Sequence, residues 1–151
     1  MLLVQRETPD QPEVTAFLTK ADERSASLYP VESRHGLPVA ELLSASVRFF
    51  VARQDDLALG CGGYMLLPER GAEMKRLFVD PAARGQGVGG VIVTALERAA
   101  AGEGVSTLFL ETGVKSSEAL RLYKRLGFVE CEPFSSYRPD PLSVFMQKQL
   151  G

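Results

Sequence analysis

The chain has 151 residues, 45% of them hydrophobic and 24% charged, a composition typical of one folded domain with one core. The formal net charge of −2 argues against a nucleic-acid binder, and no apolar run approaches the roughly 20 residues that a membrane span needs. One histidine and two isolated cysteines disfavour a metal site, and the N-terminal stretch is too short and too quickly charged for a signal peptide. We therefore expect a cytoplasmic protein that forms a single domain over residues 1–151.

The first half of the chain predicts a strand and two helices followed by an antiparallel meander. The first helix is expected to begin with Thr8 as its N-cap, Pro9 at the first helical position and Gln11 completing a capping box. The predicted elements are strand 2–6, helix 10–20, an irregular segment 27–38, a short helix 38–44 and strands 47–54, 57–67 and 73–79.

In the second half, an apolar stripe at helical spacing makes helix 88–101 the most strongly patterned element. A near-continuous apolar run predicts a buried strand at 107–111, and a further helix begins after Ser116 or Ser117 and ends at Gly127. The last predicted strands are 128–132 and 143–150, and an exposed edge at 143–150 offers a surface for a homodimer. The order β-α-α-β-β-β-α-β-α-β-β predicts an α/β fold, with a mostly antiparallel mixed sheet and helices on both faces.

A glycine-rich loop lies between strand 73–79 and helix 88–101. Backbone N–H groups at such a helix start are free to bind an anion, so the loop predicts a phosphate-bearing cofactor. Gly85-x-Gly87-x-x-Gly90 matches the dinucleotide fingerprint, and Glu111 lies near the place of its acidic ribose ligand. Against that interpretation, residues 80–84 separate the glycines from the strand, and the chain begins with a meander rather than serial βαβ units.

Two separated motifs favour another interpretation. They are Leu77-x-Val79-x-Pro81-x-x-Arg84-x-x-Gly87-x-Gly89 and Ala119-x-x-Leu122-Tyr123-x-x-x-Gly127-Phe128. Together with the order of elements, they resemble the GNAT superfamily of acetyl-CoA-dependent N-acetyltransferases. The resemblance implies acetyl-CoA as cosubstrate, no metal, and transfer to an amine of a small molecule, peptide or protein. A non-catalytic acyl-CoA-binding or sensing module on the same fold is the alternative.

The resemblance also implies where coenzyme A would bind. The pyrophosphate would meet the backbone of Gly85, Gln86, Gly87, Val88, Gly89 and Gly90, and the pantetheine arm would pair with the edge of Leu77, Phe78 and Val79. Arg84 would add a cationic contact or brace the loop. Ser116 stands where the family often has an asparagine, which puts its contact with the pantetheine arm in doubt. A backbone N–H near Leu77 or Phe78 would polarise the thioester carbonyl.

Three residues are candidates for proton transfer. The resemblance implies that Tyr123 is the general acid near the cofactor sulfur, although the apolar face of its helix also suits a core aromatic. Glu73 or Glu111 would serve as the general base, and either could equally be a solvated carboxylate at a strand end. Tyr29, His35 and Tyr137 are candidate acceptor-site residues, since they belong to segments that, by resemblance, surround the acceptor.

Overall fold

The computed structural model describes all 151 residues, and a seven-stranded sheet lies at its centre. The elements are β1 (Leu2–Arg6), α1 (Pro12–Leu28), α2 (Val39–Leu42), β2 (Val47–Gln54), β3 (Leu57–Leu67), β4 (Gly71–Val79), α3 (Val88–Gly102), β5 (Thr107–Gly113), α4 (Ser117–Arg125), β6 (Val129–Glu130) and β7 (Ser143–Gln149). Short 3₁₀ turns lie at Val31–Ser33 and Pro81–Ala83. None of the helices combines the length and apolarity that a membrane crossing requires.

The strand order is β1-β2-β3-β4-β5-β7-β6, and only β4 and β5 run parallel to each other. The remaining neighbours pair antiparallel, as a meander followed by a late antiparallel ladder. The predicted α/β class, with a mixed and mostly antiparallel sheet, is confirmed.

Helices cover both faces of this sheet because successive strand residues point to opposite sides. In β2, Phe50 and Ala52 pack with α3 and α4, whereas Phe49 and Val51 pack with α1 and α2. The first core includes Ile92, Leu96, Leu108, Leu110, Tyr123 and Phe128, and the second includes Val14, Phe17, Leu18 and Leu42. The sheet is thus buried on both sides, which leaves its strand ends and the gaps between strands for ligands.

Helix α1 begins later than predicted. Pro12 rather than Pro9 is the first helical residue, and Gln11 is the N-cap without a side-chain capping bond. A residue before proline is disfavoured in the α region, and Gln11 is extended (φ −152°, ψ 154°), so the helix cannot include it. Thr8 Oγ1 accepts a hydrogen bond from the Asp10 N–H (3.1 Å) in a turn that precedes the helix. The predicted capping box is therefore wrong.

The same helix also ends later than predicted, at Leu28 instead of about residue 20. No glycine or proline interrupts the chain between Pro12 and Pro30. Arg76 Nη1 pairs with Asp22 Oδ1 at 2.7 Å, which holds the added turns against β4. The extension brings the end of α1 close to the site described below.

Two strand predictions near the C-terminus change as well. Strand β7 is not an exposed edge, because it pairs with β5 on one side and with β6 on the other. Strand β6 is only Val129–Glu130, shorter than the predicted 128–132. The edges of the sheet are β1 and this two-residue strand, so β7 is covered at Met146 and Gln147 and is not the outermost strand, while the homodimer stays a prediction.

Candidate active site

A gap opens between β4 and β5 in the middle of the sheet. These strands pair only over Gly71–Glu73 and Thr107–Phe109 and then diverge. At the divergence Arg76 adopts a positive φ of 59°, and the register between β3 and β4 shifts. Such a bulge bends and twists the strand that carries it. Leu77, Phe78 and Val79 therefore follow along a β4 edge that has no strand partner in β5.

The gap forms a cleft of about 570 Å³ that runs from the glycine loop to the middle of the sheet. Most of the predicted cofactor residues line it: Leu77, Phe78, Val79, Arg84, Gly85, Gly87, Val88, Gly89, Gly90 and Ser116. Gln86 is the exception, since its side chain is exposed and does not line the cleft. Val88 contributes to the cleft wall and is also buried in the core.

The glycine loop presents unpaired N–H groups to this cleft. Gly87 is the N-cap of α3 with φ 76°, and the first helical bond runs from Val91 N–H to Gly87 O (3.2 Å). The N–H groups of the residues between them precede any helical acceptor. Gly85 (φ 80°) and Gly87 (φ 76°) have the left-handed backbone that favours glycine, whereas Gly90 has ordinary φ and a Cβ there would meet no atom within 4 Å. The loop thus fits a group bearing phosphate.

Gly89 has a different role from its neighbours. A Cβ there would lie 3.0 Å from Leu122 Cδ2 and 3.6 Å from Val79 Cγ2. The absence of a side chain at Gly89 therefore permits α3, α4 and β4 to converge at the floor of the cleft.

Arginines surround the outer part of the cleft. Arg24, Arg84 and Arg125 are all exposed and line it. Arg84 Nη1 lies 3.4 Å from Glu118 Oε2, with both side chains well exposed, so this pair contributes little stability. These guanidinium groups suit the phosphates of coenzyme A, which supports the fit of the cleft to that molecule.

Tyr123 projects from α4 into the inner end of the cleft. Its side chain is buried, and its ring packs on Phe128 with centroids 5.8 Å apart. Burial, followed by the charge of Glu111, raises the pKa of Tyr123. The phenol therefore stays protonated at neutral pH.

A second cleft of about 170 Å³ adjoins the first. The residues that line both clefts are Ser25, Tyr29, Met74, Arg76, Glu111, Thr112 and Ser116. The smaller cleft is mainly polar, and the 33–36 segment and Glu73, Lys75 and Gly113 complete its wall. The structure thus brings Glu73, Glu111, Tyr29 and His35 together around one small space, although they lie far apart in the sequence.

The two candidate bases occupy different environments. Glu73 is 3% exposed, and its Oε2 accepts hydrogen bonds from Lys75 Nζ (3.2 Å) and Tyr137 Oη (2.5 Å). Lys75 Nζ also donates to His35 O and Tyr137 Oη, both at 3.0 Å. Burial, followed by the charge of Glu73, raises the pKa of Tyr137 and keeps its hydroxyl protonated in this network.

Glu111 forms no ion pair within the chain. Burial raises the pKa of Glu111, and the repulsion of Glu73 adds to the shift, while Ser143, His35 and Lys75 oppose it. Ser143 Oγ lies beside this carboxyl but is itself buried without a hydrogen-bond partner. Glu111 is therefore the carboxyl group with a raised pKa and no ion-pair partner, at the junction of the two clefts.

Tyr29 joins the end of α1 to the β5–α4 loop. Its Oη accepts a hydrogen bond from Lys115 N–H (2.9 Å) and bonds Ser116 Oγ (3.0 Å). Its ring passes over Gly113, where a Cβ would lie 2.0 Å from Tyr29 Cζ. Ser116 is the N-cap residue of α4, as predicted, but its side chain bonds Tyr29 rather than capping the helix.

The remaining acceptor candidates lie at the edge of the small cleft. His35 lines it, and Tyr137 supports it from behind, with the two rings edge-to-face and 5.0 Å apart. Lys75 and Arg34 also line the small cleft, and neither was predicted from the sequence. Lys75 follows Glu73 by two residues on one strand, a spacing that places both on the same face and could have indicated the pair.

No group of three or more histidine, cysteine or acidic side chains lies close enough together to hold a metal ion. A loop suited to phosphate, beside a cleft that leads to a small polar space, defines the site of a group-transfer enzyme with a nucleotide-bearing donor.

Comparison with known proteins specifies this class. The GNAT acetyltransferase domain matches residues 45–130. The IAA acetyltransferase of Azospirillum brasilense is 40% identical over 148 residues, which is 97% of each chain. The chain therefore belongs to the GNAT acetyltransferase family, and its activity is that of an acetyl-CoA-dependent N-acetyltransferase. The dinucleotide interpretation of the glycine loop is wrong.

Solved structures agree with this assignment. A proposed acyl-CoA N-acyltransferase from Klebsiella pneumoniae is 35% identical, with a TM-score of 0.85, and the match covers 100% of this chain and 99% of that one. A Bacillus subtilis acetyltransferase in complex with CoA is 18% identical, with a TM-score of 0.77 and 99% coverage of both chains. The second likeness is one of fold, and the CoA in it belongs to that protein.

Proposed function

We propose that this chain binds acetyl-CoA in the large cleft and transfers the acetyl group to an amine held in the small cleft. The observation that carries this proposal is the junction of the two clefts, where Tyr29, Met74, Glu111, Thr112 and Ser116 line both. A donor in one cleft and an acceptor in the other would meet at these residues, and this proximity accelerates a direct transfer.

The large cleft offers separate partners for the parts of acetyl-CoA, which supplies the activated acetyl group as a thioester. The N–H groups of the glycine loop and the nearby arginines would hold the phosphates. The unpaired β4 edge over Leu77, Phe78 and Val79 would accept the amide-bearing arm as a strand does. A backbone N–H near Leu77 or Phe78 would stabilise negative charge on the thioester oxygen.

Transfer forms a C–N bond to the amine and breaks the C–S bond, so one proton must leave nitrogen and one must reach sulfur. We assign the first proton to Glu111, because its raised pKa and lack of an ion pair suit a general base. Glu73 is less suited to that role, since Lys75 and Tyr137 already occupy its carboxylate. Tyr123 would supply the second proton from its buried hydroxyl.

The test is free-thiol release from acetyl-CoA with a panel of small amines, a peptide N-terminus and IAA, the compound for which one relative is named. We expect acetyl-CoA to raise the melting temperature and at least one amine to stimulate thiol release. Tyr123→Phe and Glu111→Gln should bind acetyl-CoA normally but turn over about 10²–10⁴-fold more slowly, the usual contribution of a general acid or base. Binding without amine-dependent turnover would favour the non-catalytic acyl-CoA-binding alternative.

A further inference from the structure

The small cleft contains more charged groups than a simple amine needs. Its wall includes the acidic Glu73 and Glu111 and the basic Arg34, His35, Lys75 and Arg76. Several of these charges are already neutralised within the chain. Lys75 pairs with Glu73 (3.2 Å), and Arg76 pairs with Asp22 (2.7 Å). The charged groups left for a ligand are therefore the Glu111 carboxyl, which lines both clefts, and the Arg34 guanidinium, which belongs to the small cleft alone.

Arg34 belongs to the small cleft alone. It does not line the large cleft, whose exposed arginines are Arg24, Arg84 and Arg125. No carboxylate of the chain lies within ion-pair distance of its exposed guanidinium. An unpaired arginine beside a small polar cleft is a ready partner for an anionic group, because its planar fork matches a carboxylate.

The backbone that carries Arg34 is anchored over the site. Lys75 Nζ donates to His35 O (3.0 Å), and Arg76 Nε donates to Leu37 O (2.9 Å). Gly36 lies directly on the Arg76 guanidinium, where a Cβ would come within 2.6 Å of Nη1. These contacts fix the backbone of residues 35–37 against β4, so the exposed Arg34 side chain extends from an anchored segment of the cleft wall.

The small cleft is open to solvent and to the large cleft, and its size suits a small ligand without enclosing it. Its volume of about 170 Å³ equals the space of roughly six water molecules at about 30 Å³ each. That space suits a molecule as small as an amino acid, with an amine at the Glu111 end and an acidic group only a few bonds away.

We propose that the acceptor is a small amine that also carries a carboxylate, with Arg34 binding the carboxylate while the amine faces Glu111. This inference rests on the proposed function and narrows it to amino-acid-like acceptors in preference to peptide N-termini, whose neighbouring carbonyl is an uncharged amide. Arg34 is a specificity-determining residue for the acceptor and has no part in binding acetyl-CoA.

The test compares matched acid and amide acceptors: glycine with glycinamide, L-alanine with L-alaninamide and L-serine with L-serinamide. Thiol release gives kcat and KM for each in the wild-type protein, in Arg34→Gln and in Arg121→Gln. The last variant makes the same charge change on the exposed surface of α4, outside both clefts. Comparing acid-to-amide ratios between variants cancels the different basicities of the amines.

We expect Arg34→Gln to raise KM for the acids by about 10- to 100-fold, the scale of a charge-assisted pair, with kcat and the KM for acetyl-CoA nearly unchanged. The amides should be unaffected, and Arg121→Gln should behave as wild type. An acid-to-amide ratio that Arg34→Gln leaves unchanged would overturn the proposal while leaving the acetyltransferase function intact.

A binding measurement tests the inference without turnover. N-acetylglycine and N-acetylglycinamide are titrated calorimetrically into the CoA-loaded protein. The proposal is supported if the wild type binds the acid more tightly than the amide and Arg34→Gln loses this preference. If that result is obtained and no amine is acetylated, only the catalytic proposal fails. Equal binding of the two compounds, or no binding of either, contradicts it.

Discussion

A single methyl group at Gly113 should displace Tyr29 from the junction of the two clefts. The new Cβ would lie 2.0 Å from both Cζ and Oη of Tyr29, whereas carbon atoms pack at about 3.5–4.0 Å. Gly113 does not have a positive φ, so the backbone itself tolerates alanine. The side chain of Tyr29 must therefore move by well over an ångström.

That movement breaks the hydrogen bonds of Tyr29 Oη to Lys115 N–H (2.9 Å) and Ser116 Oγ (3.0 Å). The two bonds contribute about 2 kcal/mol at about 1 kcal/mol each. Overpacking a filled site adds about 1–3 kcal/mol, so we expect Gly113→Ala to lower the free energy of unfolding by about 3–5 kcal/mol. The KM for acetyl-CoA should rise as well, because Ser116 lines the large cleft.

The assay is urea unfolding of the single variants Gly113→Ala and Tyr29→Ala and of their combination. Without the ring, alanine at 113 meets no steric obstacle from Tyr29 and should cost less than about 1 kcal/mol, giving a coupling energy of at least about 2 kcal/mol. Gly102→Ala is the control, because a Cβ there has no neighbour within 4 Å. Equal costs of Gly113→Ala in the two backgrounds would refute the steric argument.

Three further predictions concern the same clefts. Glu111→Gln should raise the melting temperature, and by more at pH 8 than at pH 4. Burial raises the pKa of Glu111 above its ordinary 4.5, so the wild type loses stability as rising pH ionises the carboxyl. Thermal scans in which the gain is the same at both pH values would contradict this prediction. Tyr123→Phe should lower kcat in steady-state thiol release without changing the affinity for acetyl-CoA measured by calorimetry. A loss of acetyl-CoA affinity as large as the loss of kcat would indicate a role in binding instead. Gly90→Ala should stabilise α3 by about 0.5–1 kcal/mol yet weaken acetyl-CoA binding, whereas Gly89→Ala should destabilise the fold because its Cβ would lie 3.0 Å from Leu122. Urea unfolding measures the change in stability of each variant, and calorimetry measures its affinity for acetyl-CoA.

Local patterns in the sequence were sufficient to predict most of the helices and strands. The apolar stripe of α3 and the run of β5 can be predicted because each depends on the spacing of neighbouring residues. The predicted start of α1 is wrong because Pro12 restricts Gln11 to an extended conformation, which is a local effect. Its end was missed because the ion pair of Asp22 with Arg76 joins residues 54 positions apart.

The sequence by itself determined the family, the glycine loop and the candidate acid and base residues, because the two motifs and the strands beside them lie within short stretches of the chain. Only the tertiary structure decided how the candidates differ. Glu73 is held by Lys75 of its own strand and by Tyr137 of the β6–β7 loop, while Glu111 forms no ion pair on a strand that has separated from β4. The burial of both carboxyls and the contact with Tyr137 depend on residues that are distant along the chain, and so the environment that distinguishes one carboxylate from the other emerges only when the sheet and the loops around it come together.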